Sequence, residues 1–173
     1  FYPALEQLVA IDVEEKRIAE ARDRLNAEIS SNSNGIAPML LLARLYLAET
    51  NLTPAKDLLT KADRLSPESP DILSLLARTH VLAREHEAAL ASLQKVADLN
   101  TNDTAPLVMM AEIHWAASNY VAAANAYRAV LALKPKHIAA LNNLAWLNAE
   151  SLGDLKAAYE FGSSAYELDR ENP

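Results

Sequence analysis

The sequence predicts an all-α chain, a solenoid of about five stacked helix-turn-helix units comprising about ten antiparallel helices, and three observations carry that prediction. The first is a period. Alanine recurs at Ala43, Ala77, Ala111 and Ala145, each 34 residues after the last, inside one apolar frame: Met39, Leu42 and Tyr46; Leu73, Leu76 and His80; Leu107, Met110 and His114; Leu141, Leu144 and Asn148. A second alanine follows at Ala55, Ala89 and Ala123. Apolar residues three and four apart mark one face of a helix, and a fixed period of this length implies supersecondary units that bury their apolar faces only by stacking. The second observation is that 51% of the 173 residues are hydrophobic but only 6% aromatic, so small and aliphatic side chains must do the packing. The third is that three glycines, Gly35, Gly153 and Gly162, leave little room for hairpins, phosphate-cradling loops or flexible linkers.

The first unit, residues 2–35, has one helical face in Leu5, Leu8, Val9 and Ile11 or Val13, and another in Ile18, Ala21, Leu25 and Ile29. The tract Ser30–Gly35 is turn chemistry between units. In the unit 36–69, helices are expected over about 37–49 and 54–65, with Thr53 as N-cap, Pro54 as first helical residue and Ser66-Pro67 as a stop. The unit 70–103 opens at Ser69-Pro70-Asp71 and breaks near Glu85-His86, its second helix running through Leu99. Thr104 is the expected cap of the unit 104–137, with Asn119-Tyr120 at its internal turn and Lys134-Pro135 at its end. The unit 138–172 begins near Ile138, and its register slips by one residue at Ser151–Asp154, so either Ala157 or Ala158 holds the small-residue place. Asn172-Pro173 reads as the opening of a further unit; with Phe1 rather than methionine at the start, the chain reads as a segment of a longer array.

A formal charge of -7 and a pI near 5.1 argue against nucleic acid or an anionic membrane as partner, since both need a basic footprint; a neutral or basic protein is easier to accommodate. The absence of cysteine excludes disulfides and thiolate metal sites without setting the compartment. No apolar run approaches the roughly 18 residues of a membrane-spanning helix, so direct membrane insertion by this segment is not expected.

With these residues in place, the chain resembles a tandem tetratricopeptide repeat (TPR) array. The family's order of large residue, Leu, small, aromatic, Ala, aromatic and Pro is met by Met39, Leu42, Ala43, Tyr46, Ala55, Leu59 and Pro67, and again by Leu107, Met110, Ala111, His114, Ala123, Tyr127 and Pro135. The resemblance covers about 170 residues in five units. Departures are Asp12, His80, His114 and Asn148 at the aromatic place, and Ser33 and Thr101 where Pro is common. The resemblance implies a right-handed superhelix whose concave groove takes a peptide segment or helix of a partner protein. At a finer level, "ALNNLAWLNAESLGD" from Ala140, followed by "SSAYELDRENP", is similar to TPR lipoproteins that accompany bacterial PEP-CTERM and exopolysaccharide systems. That likeness implies the bacterial periplasm or cell envelope, with the cytoplasm as alternative.

The stripe that lines the groove in TPR proteins falls on the first helix of each unit, three before, one after and four after the recurring alanine. Here it contains Glu6, Ala10 and Val13; Leu40, Arg44 and Leu47; Ser74, Arg78 and Val81; Val108, Glu112 and Trp115; Asn142, Trp146 and Ala149. The candidate partner-binding residues are Leu40, Arg44, Leu47, Ser74, Arg78, Val81, Val108, Glu112, Trp115, Asn142 and Trp146. If Trp115 and Trp146 are exposed they are natural anchors for a bound peptide; the alternative is that they pack as core. Arg44 and Arg78 suit a peptide carboxylate, or Arg78 pairs with Glu112. TPR cochaperones that clamp a C-terminal carboxylate carry Lys and Asn where this chain has Glu6 and Ala10; Asn143 alone matches, and that function is not carried over.

No catalytic, cofactor or metal site is expected. His80 and His114 lack a ligand at i+4 and read as replacements of the core aromatic, while His86 and His137 read as solvated turn residues. Asp98–Asp103 begins like a calcium loop, but Asp103 stands where glycine is required and Met109 where the bidentate Glu belongs. The sequons at Asn51 and Asn102 read as helix caps, and no Gly-flanked serine or Cys/His pair supplies a nucleophile. The expected function is a non-enzymatic interaction scaffold. Alternatives are a spacer that self-associates weakly through uncapped ends and a carbohydrate-binding surface.

Overall fold

The computed structural model describes residues 2–170. Within them the chain is all-helical, with ten α-helices: α1 (Tyr2–Glu14), α2 (Ile18–Ser31), α3 (Ile36–Ala48), α4 (Leu52–Leu65), α5 (Pro70–Leu82), α6 (His86–Leu99), α7 (Ala105–Ala116), α8 (Tyr120–Leu133), α9 (Ile138–Leu147) and α10 (Leu155–Arg170). A single π-helical turn, Asn148–Leu152, extends α9. The expected opening of a further unit at Asn172-Pro173 lies outside the described residues. The chain divides into two compact units, one ending at Ser92 and the other starting at Leu93.

The period is written in the backbone. Lys16, Thr50, Arg84 and Ser118, 34 residues apart, all have left-handed φ, between 57° and 61°. Each ends the first helix of a pair in the same way. The N–H of Thr50 donates to the Leu47 carbonyl and that of Asn51 to the Tyr46 carbonyl, and the pattern repeats at Arg84 and Glu85 and at Ser118 and Asn119. This is the Schellman arrangement, which satisfies the last carbonyls of a helix and reverses the chain within three residues. The pair α9–α10 reaches the same point one residue late, at Gly153 with φ 74°. The π-helical turn absorbs the extra residue, and this is the physical form of the register slip at Ser151–Asp154.

In the first unit, α2 packs against α1 and α3, and α4 against α3 and α5. Its core holds Val9, Ala21, Leu25, Leu42 and Leu45 between the first helices, then Met39, Ala43, Leu59, Ala62, Ile72 and Leu76 between the next. In the second unit, α8 packs against α7 and α9, and α10 against α9. Ala111, Ala123, Ala124, Tyr127, Val130, Ala140, Leu144 and Leu147 form its core, with Phe161 of α10 packed against them. The recurring Ala43, Ala77 and Ala111 and the second alanines Ala55, Ala89 and Ala123 have no exposed surface, as a close-approach position requires. Ala145 meets Gly162 of α10, where an added Cβ would stand 3.7 Å from its own.

The caps differ from expectation. Thr53 is not the N-cap of α4, which starts at Leu52; Asn51 and Thr104 do stand at the N-cap positions of α4 and α7, but neither makes a side-chain cap bond. Asp103 instead accepts from the Ala105 N–H at 2.9 Å. His137 is not simply solvated: its Nδ1 accepts from the Ala140 N–H at 3.2 Å and caps α9. His86 is half-buried at the start of α6, its Nδ1 shielded and unpartnered.

Candidate functional site

Two of the residues that depart from the aromatic place, Asp12 and His80, are explained by the turn that follows. Asp12 is buried, 2% exposed, and accepts from Arg17 Nη2 at 2.8 Å and Arg24 Nε at 3.1 Å. The Arg17 hydrogen bond holds its carboxyl below the usual range against the desolvation that pushes it up, with Arg24 assisting. Two periods along, His80 Nδ1 lies 2.6 Å from Glu85, whose carboxylate also accepts from Lys56 Nζ of α4 at 2.6 Å. Lys56, then His80, hold Glu85 below its usual range. Both pairs are five residues apart, so a polar residue at the end of one helix is satisfied by the turn it enters. Asn148, 1% exposed, donates instead to the Leu144 carbonyl at 2.7 Å inside the π-helical turn. These groups are structural, and no group of three or more His, Asp or Glu among the described residues is placed to hold a metal ion.

On the candidate stripe of the first unit, Arg44, Ser74 and Arg78 are exposed, Leu40 and Val81 half-buried. Leu47 departs from an open stripe: it is 4% exposed and belongs to the interior. Arg44 and Arg78 stand at equivalent places on α3 and α5, and neither forms an ion pair within that unit. Two guanidinium groups on neighbouring first helices, without an ion-pair partner among the described residues of that unit, are suited to anionic groups.

In the second unit, Glu112, Asn142 and Trp146 are exposed, and Val108 and Trp115 half-buried against the core. The two tryptophans do not share one fate. Their rings stack, centroids 4.7 Å apart at 22°, so that Trp115 is the inner member and Trp146, 47% exposed, the outer. Tyr127 meets Trp115 edge-on at 6.5 Å and 86°, and its hydroxyl accepts from Asn143 Nδ2 at 2.8 Å. Asn143, the one residue shared with carboxylate clamps, is thus spent on holding Tyr127. Burial raises the Tyr127 phenol above its usual range, opposed by the Asn143 bond, with the Glu112 charge adding to the rise. A ladder of Asn143, Tyr127, Trp115 and Trp146 therefore fixes an exposed indole on rigid helices. The sequence has Trp115 four after the recurring alanine and Trp146 one after it, and that one-turn offset is the signal that they meet.

A surface depression of about 610 Å³ lies elsewhere, along α4 beside Lys56, Asp57, Thr60, Lys61, Arg64 and Leu65. It is bounded by the polar side of one helix and has no aromatic anchor. No helix among the described residues is long and apolar enough to cross a membrane.

Two family models, each described as tetratricopeptide repeat, match residues 46–113 and 108–173. No curated protein matches the chain. Among solved structures it is similar to a crystal structure of MamA, with a TM-score of 0.84 and 19% identity over 94% of this chain and 95% of that one. It is also similar to MamA from Desulfovibrio magneticus RS-1, with a TM-score of 0.82 and 16% identity over 98% and 96%. A third is YrrB, a TPR protein with an unusual peptide-binding site, at a TM-score of 0.75 and 20% identity over 96% and 85%. At these identities the likeness is one of fold.

Proposed function

Because the chain belongs to the tetratricopeptide repeat family, whose helix pairs are protein-interaction modules, we propose that it is a non-enzymatic scaffold binding a peptide segment or helix of a partner protein along the stripe of its first helices. The observation that carries this reading is Trp146, a large apolar side chain held half-open by the stack on Trp115 instead of being withdrawn into the core. Rigid, half-exposed aromatics are the residues most often found as binding anchors, because they lose little entropy and bury much surface on contact. The peptide-binding site of YrrB, a neighbour in fold, lends the reading support. We place the scaffold in assembly of a bacterial envelope or exopolysaccharide system on the likeness of the stretch from Ala140, a placement tested by finding the full-length protein in an envelope fraction.

Selection of binders from a random peptide library tests the main reading. Selected peptides should lose at least about tenfold in affinity on Trp146→Ala or on joint Arg44→Ala and Arg78→Ala, as for a truncated hot spot. Binders insensitive to both changes would remove the stripe from the account.

The outer face of α10 supports a second reading, weak association with a second copy. Leu155, Tyr159 and Tyr166 are 71%, 77% and 63% exposed there, and apolar surface of this kind seeks cover. Sedimentation over a wide concentration range should show association that Tyr159→Ser with Tyr166→Ser weakens; a single monomeric species throughout would dispose of it.

A further inference from the structure

Resting on the peptide-binding reading above, we propose that the second unit's stripe selects a cationic side chain, arginine or lysine, of a basic partner segment, its charge lying over the exposed indole of Trp146 beside Glu112. Three independent observations converge. The first is the ring itself: one face of Trp146 lies on Trp115, and 47% of the residue is exposed, so the indole is accessible to a ligand. An indole face carries negative electrostatic potential, and tryptophan is the strongest cation-π partner among side chains.

The second is the distribution of charge. Helices α7 and α9 and the π-helical turn contain no lysine or arginine; their charged residues are Glu112 and Glu150. None of these elements carries a lysine or arginine to compete with a ligand cation. Glu112 is exposed, forms no ion pair within the second unit, and lies one helical turn from Trp115 on the same face of α7. Asn142 stands one turn before Trp146 on α9, also exposed, and offers an amide to a peptide backbone. The third is the net charge of -7, which steers a basic segment towards the protein and a nucleic acid away from it.

The chemistry distinguishes this face from that of the first unit, where Arg44 and Arg78 present the opposite sign. It also distinguishes a basic peptide from a sugar, which would stack on Trp146 without needing Glu112.

The test uses the whole chain and four blocked nonapeptides of alanine, leucine and serine, identical except for arginine, lysine, glutamine or glutamate at the centre. Binding is read from the indole N–H resonance of Trp146 and from tryptophan fluorescence. The arginine and lysine peptides should bind about three- to tenfold more tightly than the glutamine peptide, the gain expected of a cation-π contact joined by an exposed ion pair. The preference should shrink with added salt and with Glu112→Gln, and Trp146→Ala should abolish it while Trp146→Phe retains part. Circular dichroism of each variant establishes that it folds. Equal, Trp146-dependent binding of the arginine and glutamine peptides would overturn the cation preference and leave the groove reading standing. Failure of every peptide to move either tryptophan would overturn both. Polysaccharide binding that depends on Trp146 but not on Glu112, with no peptide preference, would replace the proposal with a carbohydrate surface.

Discussion

Thr50 holds a β-branched side chain at φ 57°, where glycine sits without cost and other residues are strained. Gly162 is the converse, a glycine inside α10 whose added Cβ would meet only ordinary contact with Ala145 at 3.7 Å. Position 50 favours glycine, and position 162 has room for the Cβ of alanine. Thr50→Gly should therefore stabilise by about 0.5–1 kcal/mol through relief of strain, and Gly162→Ala by about as much through helix propensity. Denaturant melts at fixed slope check both, and a loss in either would mean that the local backbone is held differently. Asp12 gives a pH signature. Its carboxyl is held below the usual 3.8 by Arg17 and Arg24, so its contribution to stability is present above the ordinary carboxylate range. That contribution is lost as the pH falls through the lowered folded value. Asp12→Asn should destabilise at neutral pH, with the difference from wild type narrowing down the acid limb. A difference that stayed constant through acid would show that the pairing with Arg17 is not what matters.

At the level of elements, the recurring unit is a pair of helices closed by a three-residue turn, and the fifth pair differs from the others by one inserted residue. Removing Ser151 should convert the π-helical turn into regular α-helix, restore the period of Thr50, Arg84 and Ser118, and leave a folded protein with nearly unchanged helicity. Removing one residue from the middle of α7, such as Met109, should instead rotate the rest of that helix by about 100° and expose its core face. If both deletions unfold the protein equally, the π-helical turn is not a passive insertion. The elements were legible in the sequence because Ala43, Ala77 and Ala111 repeat at the place where helices touch, and a close approach admits few residue types. The caps were less legible. Thr53 and Thr104 have capping chemistry, but Thr53 lies inside α4, past its first residue, and the Asp103 carboxylate already accepts from the Ala105 N–H at the start of α7. Nor did the frame reveal how Asp12 and His80 replace an aromatic, since the answer lies five residues on, in Arg17 and Glu85. The candidate stripe was legible as a set of positions but not as exposure: Leu47 is drawn into the interior, and the division of labour between Trp115 and Trp146 depends on the stack between helices.

For the whole molecule, the same periodic frame carries two different surface chemistries, each within its own compact unit. The first unit offers Arg44 and Arg78, and the second an exposed indole with carboxylates and no lysine or arginine on α7 or α9. Repeat architecture permits this because the core positions fix the fold while the stripe is free to vary. A two-dimensional amide and indole NMR titration of the whole chain with a library-selected peptide decides whether a partner segment binds on the stripe of the first helices. The indole N–H signals of Trp146 and Trp115 and the backbone amides around Glu112 and Asn142 should shift together on binding. Shifts confined to α8, α10 or the outer side of α4, with both indoles unmoved, would contradict binding there.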